Sequence, residues 1–304
     1  MSKRWWAILA ALVATSIYGI NHTVAKTLMP TYIEPFGLIL LRVAGAYLLF
    51  LLISFFFPSE KIDSRDWKRI IACAVFGMVI NMLMFFKGLS LSTPINSSVI
   101  VTISPIIVFV LSAILIREKI TLLKASGALL GLLGGLSLVF FKSPITTDAP
   151  NIPLGNILIF INATSYGIYL ILVRPLTKKY SSITLMKHLF LIATIINFPI
   201  CFSEFKQVAW MDLPFDAIWR MLFVVLGTTF LTYLLNIYAL KQLSASTLGV
   251  FVYLQPVIAV AYAIYAGIDQ LDAIKVLAAT LVFIGVFMVS KNPAQIRKAF
   301  KSRA

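Results

Sequence analysis

Long apolar runs separated by short polar breaks set the pattern of this chain. About 20 consecutive apolar residues are needed for a helix to cross a hydrocarbon core of about 30 Å. That ruler predicts ten helices: Trp5–Ala25, Ile33–Phe57, Ile70–Ser90, Ile95–Ile116, Ala125–Phe141, Leu154–Val173, Leu185–Phe205, Ala217–Leu240, Thr247–Ile268 and Ala273–Ser290. The breaks carry turn-forming and charged residues, as in Pro58-Ser-Glu-Lys, Arg117-Glu-Lys, the Pro/Asn/Asp-rich Ser143–Pro153, Arg174-Pro-Leu-Thr-Lys-Lys and Met211-Asp-Leu-Pro. Apolarity is continuous within the runs, without the period-two alternation of barrel strands. The expected fold class is therefore all-α and polytopic in a membrane.

Composition agrees. Of 304 residues, 60% are apolar and 12% charged, about half the charge that covers a soluble domain. The chain is too hydrophobic for a disordered one. Cys73 and Cys201, both inside apolar runs, make neither a disulfide framework nor a metal site. The net charge of +15 is placed for topology rather than nucleic-acid binding, because the basic residues sit in the breaks and the tail. With the N-terminus in the cytoplasm and ten alternating spans, the inner segments hold 19 Lys and Arg and the outer ones 6. This bias predicts both termini in the cytoplasm. The basic start followed by an apolar run could be a secretory signal, but the run is long, lacks a strong cleavage site and recurs later, so it reads as part of the folded protein.

The two halves resemble each other at an offset of about 150 residues. Tyr18-Gly19-Ile20 matches Tyr166-Gly167-Ile168, with Lys26 on Arg174; Lys87-Gly88-Leu89 falls on Tyr238-Ala239-Leu240, Pro105 on Pro256, Glu118 on Asp269 and Gly134 on Gly285. The predicted units are 1–145 and 146–290, followed by a basic tail, 291–304. Five helices is an odd number, so the second unit enters the membrane from the opposite side. Two such inverted repeats around a central cavity are the architecture of secondary transporters.

The residues also resemble the drug/metabolite transporter superfamily, in its EamA-type ten-helix branch, over nearly the whole chain. Tyr18-Gly-Ile-Asn-His-Thr-Val-Ala-Lys26 is similar to the family's aromatic-Gly-x-Asn stretch, and Pro35 with Leu41-Arg42 to its second helix. Pro105, Arg117-Glu118-Lys119-Ile120-Thr121, Gly127, Gly131 and Gly134 resemble the block that closes each repeat. The second copy reads Tyr238-Ala-Leu-Lys-Gln-Leu-Ser-Ala-Ser, Gln255-Pro256, Gly267-Ile-Asp269 and Gly285. Three positions depart from the pattern: Arg117 replaces a glycine, Asp269 a glutamate, and Gln255 an acid that often precedes the proline. The last removes a candidate proton carrier. The resemblance implies a metabolite exporter, often of amino acids or related compounds, working by alternating access. It implies a cavity lined mainly by helices one, three, four, six, eight and nine.

Polar side chains inside spans are costly and face the bundle interior or a water-filled cavity. That criterion selects a substrate pathway of Tyr18, Asn21, His22, Asn81, Phe85, Asn96, Ser97, Ser165, Tyr166, Tyr169, Thr232, Asn236, Thr247, Phe251 and Gln255, with Asn162, Thr102 and Ser104 as further polar positions. The competing expectation for each is interhelical hydrogen bonding worth about 0.6 kcal/mol on average. His22 is the one imidazole inside a span and could carry a proton or serve packing. Arg42, roughly 10 Å below the outer surface at about 1.5 Å per residue, reads first as an anchor held by carbonyls or by its reach to the interface, and second as a binder of substrate carboxylate. Pro105 and Pro256 occupy equivalent places and can bend their helices, which makes them gate or hinge candidates. Gly127, Gly131 and Gly135 permit close packing of a helix, against a neighbour or a second copy.

The expected function is a secondary transporter exporting small polar metabolites across a bacterial cytoplasmic membrane, as a monomer or homodimer. An importer of the same fold is the alternative. An enzyme would need a general base or metal cluster, and no span carries one; no catalytic residue, cofactor, metal ligand or nucleotide-binding motif is expected.

Overall fold

The computed structural model describes residues 3–58, 60–92, 94–140, 151–265 and 273–290. Among them the chain forms ten helical stretches: α1 (Lys3–Leu28), α2 (Pro35–Ser54), α3 (Ser64–Leu91), α4 (Pro94–Ile116), α5 (Leu122–Phe140), α6 (Ile152–Lys179), α7 (Ser182–Phe205), α8 (Phe215–Leu240), α9 (245–265) and α10 (Ala273–Ser290). No strand occurs among the described residues. Helices α2, α3, α6, α7 and α8 are long and apolar enough to cross a membrane; four further helices contain shorter apolar stretches, Ile100–Ile116, Leu122–Ser137, Ala245–Ile258 and Val276–Ser290.

Local chemistry sets the helix starts. Pro35 opens α2, and Asn151, Ser181 and Ser244 each accept a backbone N–H of the first turn of α6, α7 and α9. The main departure from the predicted bounds is α6, which continues past Val173 through Pro175 to Lys179. A hydropathy ruler stops where apolarity stops, whereas a helix ends where its backbone loses partners.

The two halves pack around a pseudo-two-fold. Helix α2 lies against α7 and α5 against α10; α1 contacts α8 and α9, while α6 contacts α3 and α4. Exchanging each helix with the one five places along reproduces this set of pairs. The central pairs are antiparallel: Gly127 meets Gly285 while Gly134 meets Ala278. On α2 and α7 the same inversion appears as reciprocal capping. Glu204, at the end of α7, accepts the amides of Phe36 and Gly37 at the start of α2, at 2.6 and 3.1 Å. Glu60, just beyond α2, accepts the amide of Ser181 at the start of α7, at 2.8 Å. A carboxylate at a helix N-terminus satisfies orphan donors and complements the helix dipole.

Around an apolar core, the exterior is apolar as well, and several polar side chains are buried. Leu129, Leu133, Phe160, Ile195, Phe198, Phe283 and Phe287 are exposed, whereas Ser112, Asn197, Thr228, Thr229, Thr232 and Ser246 are completely buried. Apolar attraction does not drive helices together in lipid, so close approach and internal hydrogen bonds do. The glycine stripe of α5 serves this inside the chain: a Cβ on Gly127 would lie 2.9 Å from the Gly285 carbonyl, and one on Gly131 would strike the Tyr253 ring.

Candidate substrate pathway at the two-fold centre

Four tyrosines from α1, α6 and α8 meet where the halves join. Tyr166 and Tyr169 lie 6.0 Å apart between ring centroids, and Tyr169 and Tyr233 lie 6.4 Å apart. Tyr18 stands near Thr232 and Arg42. Tyr169 is fully buried, and its hydroxyl has no hydrogen-bond partner among the described residues; the buried side-chain oxygen of Asn21 likewise has none among them. Tyr18 and Tyr166 are partly buried.

A feature with no clear sequence signal shapes this centre. Helix α3 widens into a π-helical segment over Val75–Ile80, and α8 does so over Phe223–Leu231. The two segments end 151 residues apart, the offset that pairs Pro105 with Pro256, and they end immediately before Asn81 and Thr232. A π-segment pushes carbonyls out of the helical ladder, and such segments gather at functional sites. In α3 two of those carbonyls are taken by other helices, as Ser165 donates to Phe76 O at 2.7 Å and Tyr233 to Gly77 O at 3.2 Å; just beyond the segment, Asn162 donates to Asn81 O at 2.7 Å. Gly77 is required at that spot, because a Cβ there would lie 2.5 Å from the Tyr169 ring. In α8 the segment's own threonines do the work: Thr228 and Thr229 donate to Val224 O, and Thr232 to Thr228 O.

The structure separates the selected residues into groups. Tyr18, Tyr166, Tyr169 and Thr232 gather at the centre, and Asn21 follows Tyr18 by three residues on α1. Asn81 and Ser165 bind the backbones of α6 and α3, the Asn81 amide at a long 3.5 Å from Asn162 O. Phe85 is half-buried and packs edge-on to Phe86, and Asn236 is buried in α8. Thr247 belongs to the cap of α9, its amide and hydroxyl both on Ser244. Phe251 is buried and starts a 3-10 turn, Phe251–Tyr253, that precedes the half-buried Gln255 and Pro256. Pro256 has no N–H for the carbonyl of Val252 inside that turn. Helix α4 passes Pro105 as one α-helix, so the backbone departs from α-geometry beside the proline in one copy only. The side chains of His22, Asn96 and Ser97 lie outside the described residues.

Arg42 differs from expectation. Among the described residues no main-chain carbonyl holds it: it is buried, Nε donates to Thr229 Oγ1 at 3.0 Å, and the guanidinium carbon lies 5.5 Å from the Phe86 centroid. Helix α2 thereby enters the tyrosine cluster, which sequence reasoning assigned to other helices. The signal available was the charge itself, inside an apolar run.

The charged clusters lie at helix ends. Glu118, in the loop between α4 and α5, accepts Lys124 at 2.8 Å and the Ser246 hydroxyl of α9. Burial raises its carboxyl pKa, but the hydrogen bonds from Lys124 and Ser246 and the Lys124 charge outweigh that and hold it below the usual range. Lys179 bridges Asp63 and Asp66 at 3.1 and 2.6 Å. A surface cleft of about 420 Å³ lies among Glu60, Asp63, Lys179 and Tyr180; its polar walls are already paired to one another, and it is remote from the tyrosines. No His, Cys, Asp or Glu cluster able to hold a metal occurs among the described residues.

Inverted five-helix units, an apolar exterior and a polar centre at their junction define a membrane transport protein. The EamA-like transporter family model matches the chain twice, over residues 5–140 and 153–291. The chain belongs to that family. An uncharacterized transporter of Archaeoglobus fulgidus is 27% identical over 95% of this chain and 99% of its own length. The uncharacterized transporter YyaM of Bacillus subtilis is 24% identical over 82% and 81%. A crystal structure of 17% identity shares the fold, with a TM-score of 0.76 over 93% of this chain and 95% of that one.

Proposed function

We propose that this transporter is a secondary carrier that exports small polar metabolites, amino acids or related compounds, across a bacterial cytoplasmic membrane by alternating access. The observation carrying this reading is the tyrosine cluster at the junction of two inverted halves, where Tyr18 and Tyr166 are partly buried and the buried Tyr169 hydroxyl has no hydrogen-bond partner among the described residues. Rocking of unit 1–145 against unit 146–290 exposes that centre to each side in turn. Pro105, Pro256 and the two π-segments supply the bends. Phe85, Asn236 and Gln255 extend the pathway from the centre, joined by His22 of α1 and Asn96 and Ser97 of α4. The 19-to-6 bias of basic residues supports cytoplasmic termini and a basic cytoplasmic tail, 291–304. Neutral hydroxyls, amides and aromatic rings predominate, which suits zwitterionic and amphipathic solutes.

The test is exchange in proteoliposomes holding the purified full chain, with a panel of amino acids and vitamins, with and without a pH gradient. Exchange of at least one such solute, reduced by Asn21→Ala and Tyr166→Ala in variants that melt like the parent, is the expected result. Exchange confined to polyanions such as sugar nucleotides, or unaltered in both variants, overturns it.

A further inference from the structure

Arg42 presents an unresolved charge. It is 6% exposed, and a charged side chain inside a membrane bundle must meet opposite charge or a dense set of acceptors. Its contacts with the described residues are a neutral hydroxyl, Thr229 Oγ1, and an aromatic face, Phe86. Its other polar neighbours are the phenols of Tyr18 and Tyr233. None of the ion pairs among the described residues includes it; Glu118, Asp63, Asp66 and Asp216 pair with Lys124, Lys179 and Arg220 at helix ends. The remaining described carboxylates with assigned partners, Glu60 and Glu204, cap α7 and α2.

The guanidinium is also oriented. Thr229 accepts from Nε while donating to Val224 O, a carbonyl displaced by the π-segment of α8. Fixing Nε leaves the two η nitrogens, four N–H donors in one plane, as the free edge of the fork. Tyr18 stands beside this cation and is only partly buried. A planar donor edge next to an aromatic cluster matches a carboxylate carried on an apolar or aromatic body.

Building on the carrier reading above, we infer that Arg42 is the anion-binding point of the central site and that the solute it recognises bears a carboxylate next to an apolar or aromatic group. The carboxylate docks on the η nitrogens, and the body of the solute lies against Tyr18 and Tyr166. Thr229 is a positioning residue that sets the plane of the fork.

The experiment uses the purified full chain in nanodiscs and follows its melting temperature with matched probes: 3-phenylpropionate, 3-phenylpropionamide and 3-phenylpropylamine, then leucine and leucinamide. The acids raise the melting temperature of the parent in a saturable way, and the amides and the amine do not. Arg42→Gln loses about 10- to 100-fold in apparent affinity for the acids, the range expected for a charge-assisted pair. Arg42→Lys, which keeps the charge without the fork, gives an intermediate loss. Should Arg42→Gln fail to fold, Thr229→Val carries the test, with weakened acid binding and unchanged choice of acid over amide. Equal responses to acid and amide, absence of any acid response in the parent, or full acid affinity in a folded Arg42→Gln or Arg42→Lys overturns the inference. Exchange in proteoliposomes that ignores the carboxylate would overturn Arg42's role and leave the carrier reading standing.

Discussion

Replacing Gly285 with alanine adds one methyl group where two backbones touch. A Cβ on Gly285 would lie 2.5 Å from the Gly127 carbonyl oxygen, 2.6 Å from the Gly131 amide nitrogen and 3.0 Å from the Gly131 Cα. All three are main-chain atoms of α5, so no side-chain rotation relieves the contact, and the helices must part until the nearest distance exceeds 3.0 Å. Overpacking of this kind costs about 1–3 kcal/mol. Alanine also improves helix propensity by up to about 1 kcal/mol in water, an effect that must be removed to see the clash. Gly227 supplies the control: its Cβ would meet Phe223 at 3.4 Å and Ile17 at 3.6 Å, ordinary contacts. Chemical unfolding in micelles, followed by tryptophan fluorescence, should place Gly285→Ala about 1–3 kcal/mol below Gly227→Ala. Equal stability of the two variants would refute the backbone contact between α5 and α10, and with it the close packing of that pair.

Three further outcomes are expected. Arg117 adopts a positive φ of 50°, a conformation that costs a side chain about 1–2 kcal/mol; Arg117→Gly should therefore stabilise by about 0.5–1 kcal/mol after glycine's greater freedom in the unfolded chain is deducted, measured by the same unfolding curves. The Glu118 carboxyl has a depressed pKa in the folded protein, so its stabilising effect is fully present above the ordinary value of 4.5 and fades as pH falls below it through the folded value; acid titration of stability should show this component in the parent and not in Glu118→Gln. Asn162 donates at 2.7 Å and Asn81 at 3.5 Å, so Asn162→Ala should cost about 1 kcal/mol and Asn81→Ala less than about half of that, again by unfolding.

The helices themselves were legible in the chain, because in lipid the length of an apolar run is itself the structural constraint. Helix α10 spans the predicted residues, and α4, α7 and α8 differ from prediction by a few residues at the start. The duplication was also legible, through collinear pairs such as Pro105 and Pro256. The partners of polar residues were not. Asn21, Ser165 and Asn162 look alike in a run of apolar neighbours, yet Ser165 and Asn162 tie α6 to α3 while the Asn21 oxygen stays unpartnered. The π-segments left no trace in the hydrophobic pattern, since one extra residue in a turn leaves a uniformly apolar run uniformly apolar. The family's preference for glycine at position 117 became intelligible once its φ was known. Arg42 was conspicuous as a charge, but its surroundings depend on how α2 meets α8, which no local spacing encodes.

The crossed pattern of Glu60 and Glu204 bears on how such a chain can be divided. Each half carries an acid that accepts amides at the start of a helix in the other half, so the two are tied by crossed contacts, and the molecule resembles two interlocking subunits fused end to end. Separately expressed halves should be unstable apart and should restore each other when brought together in one bilayer, with either acid replaced by alanine weakening the reunion.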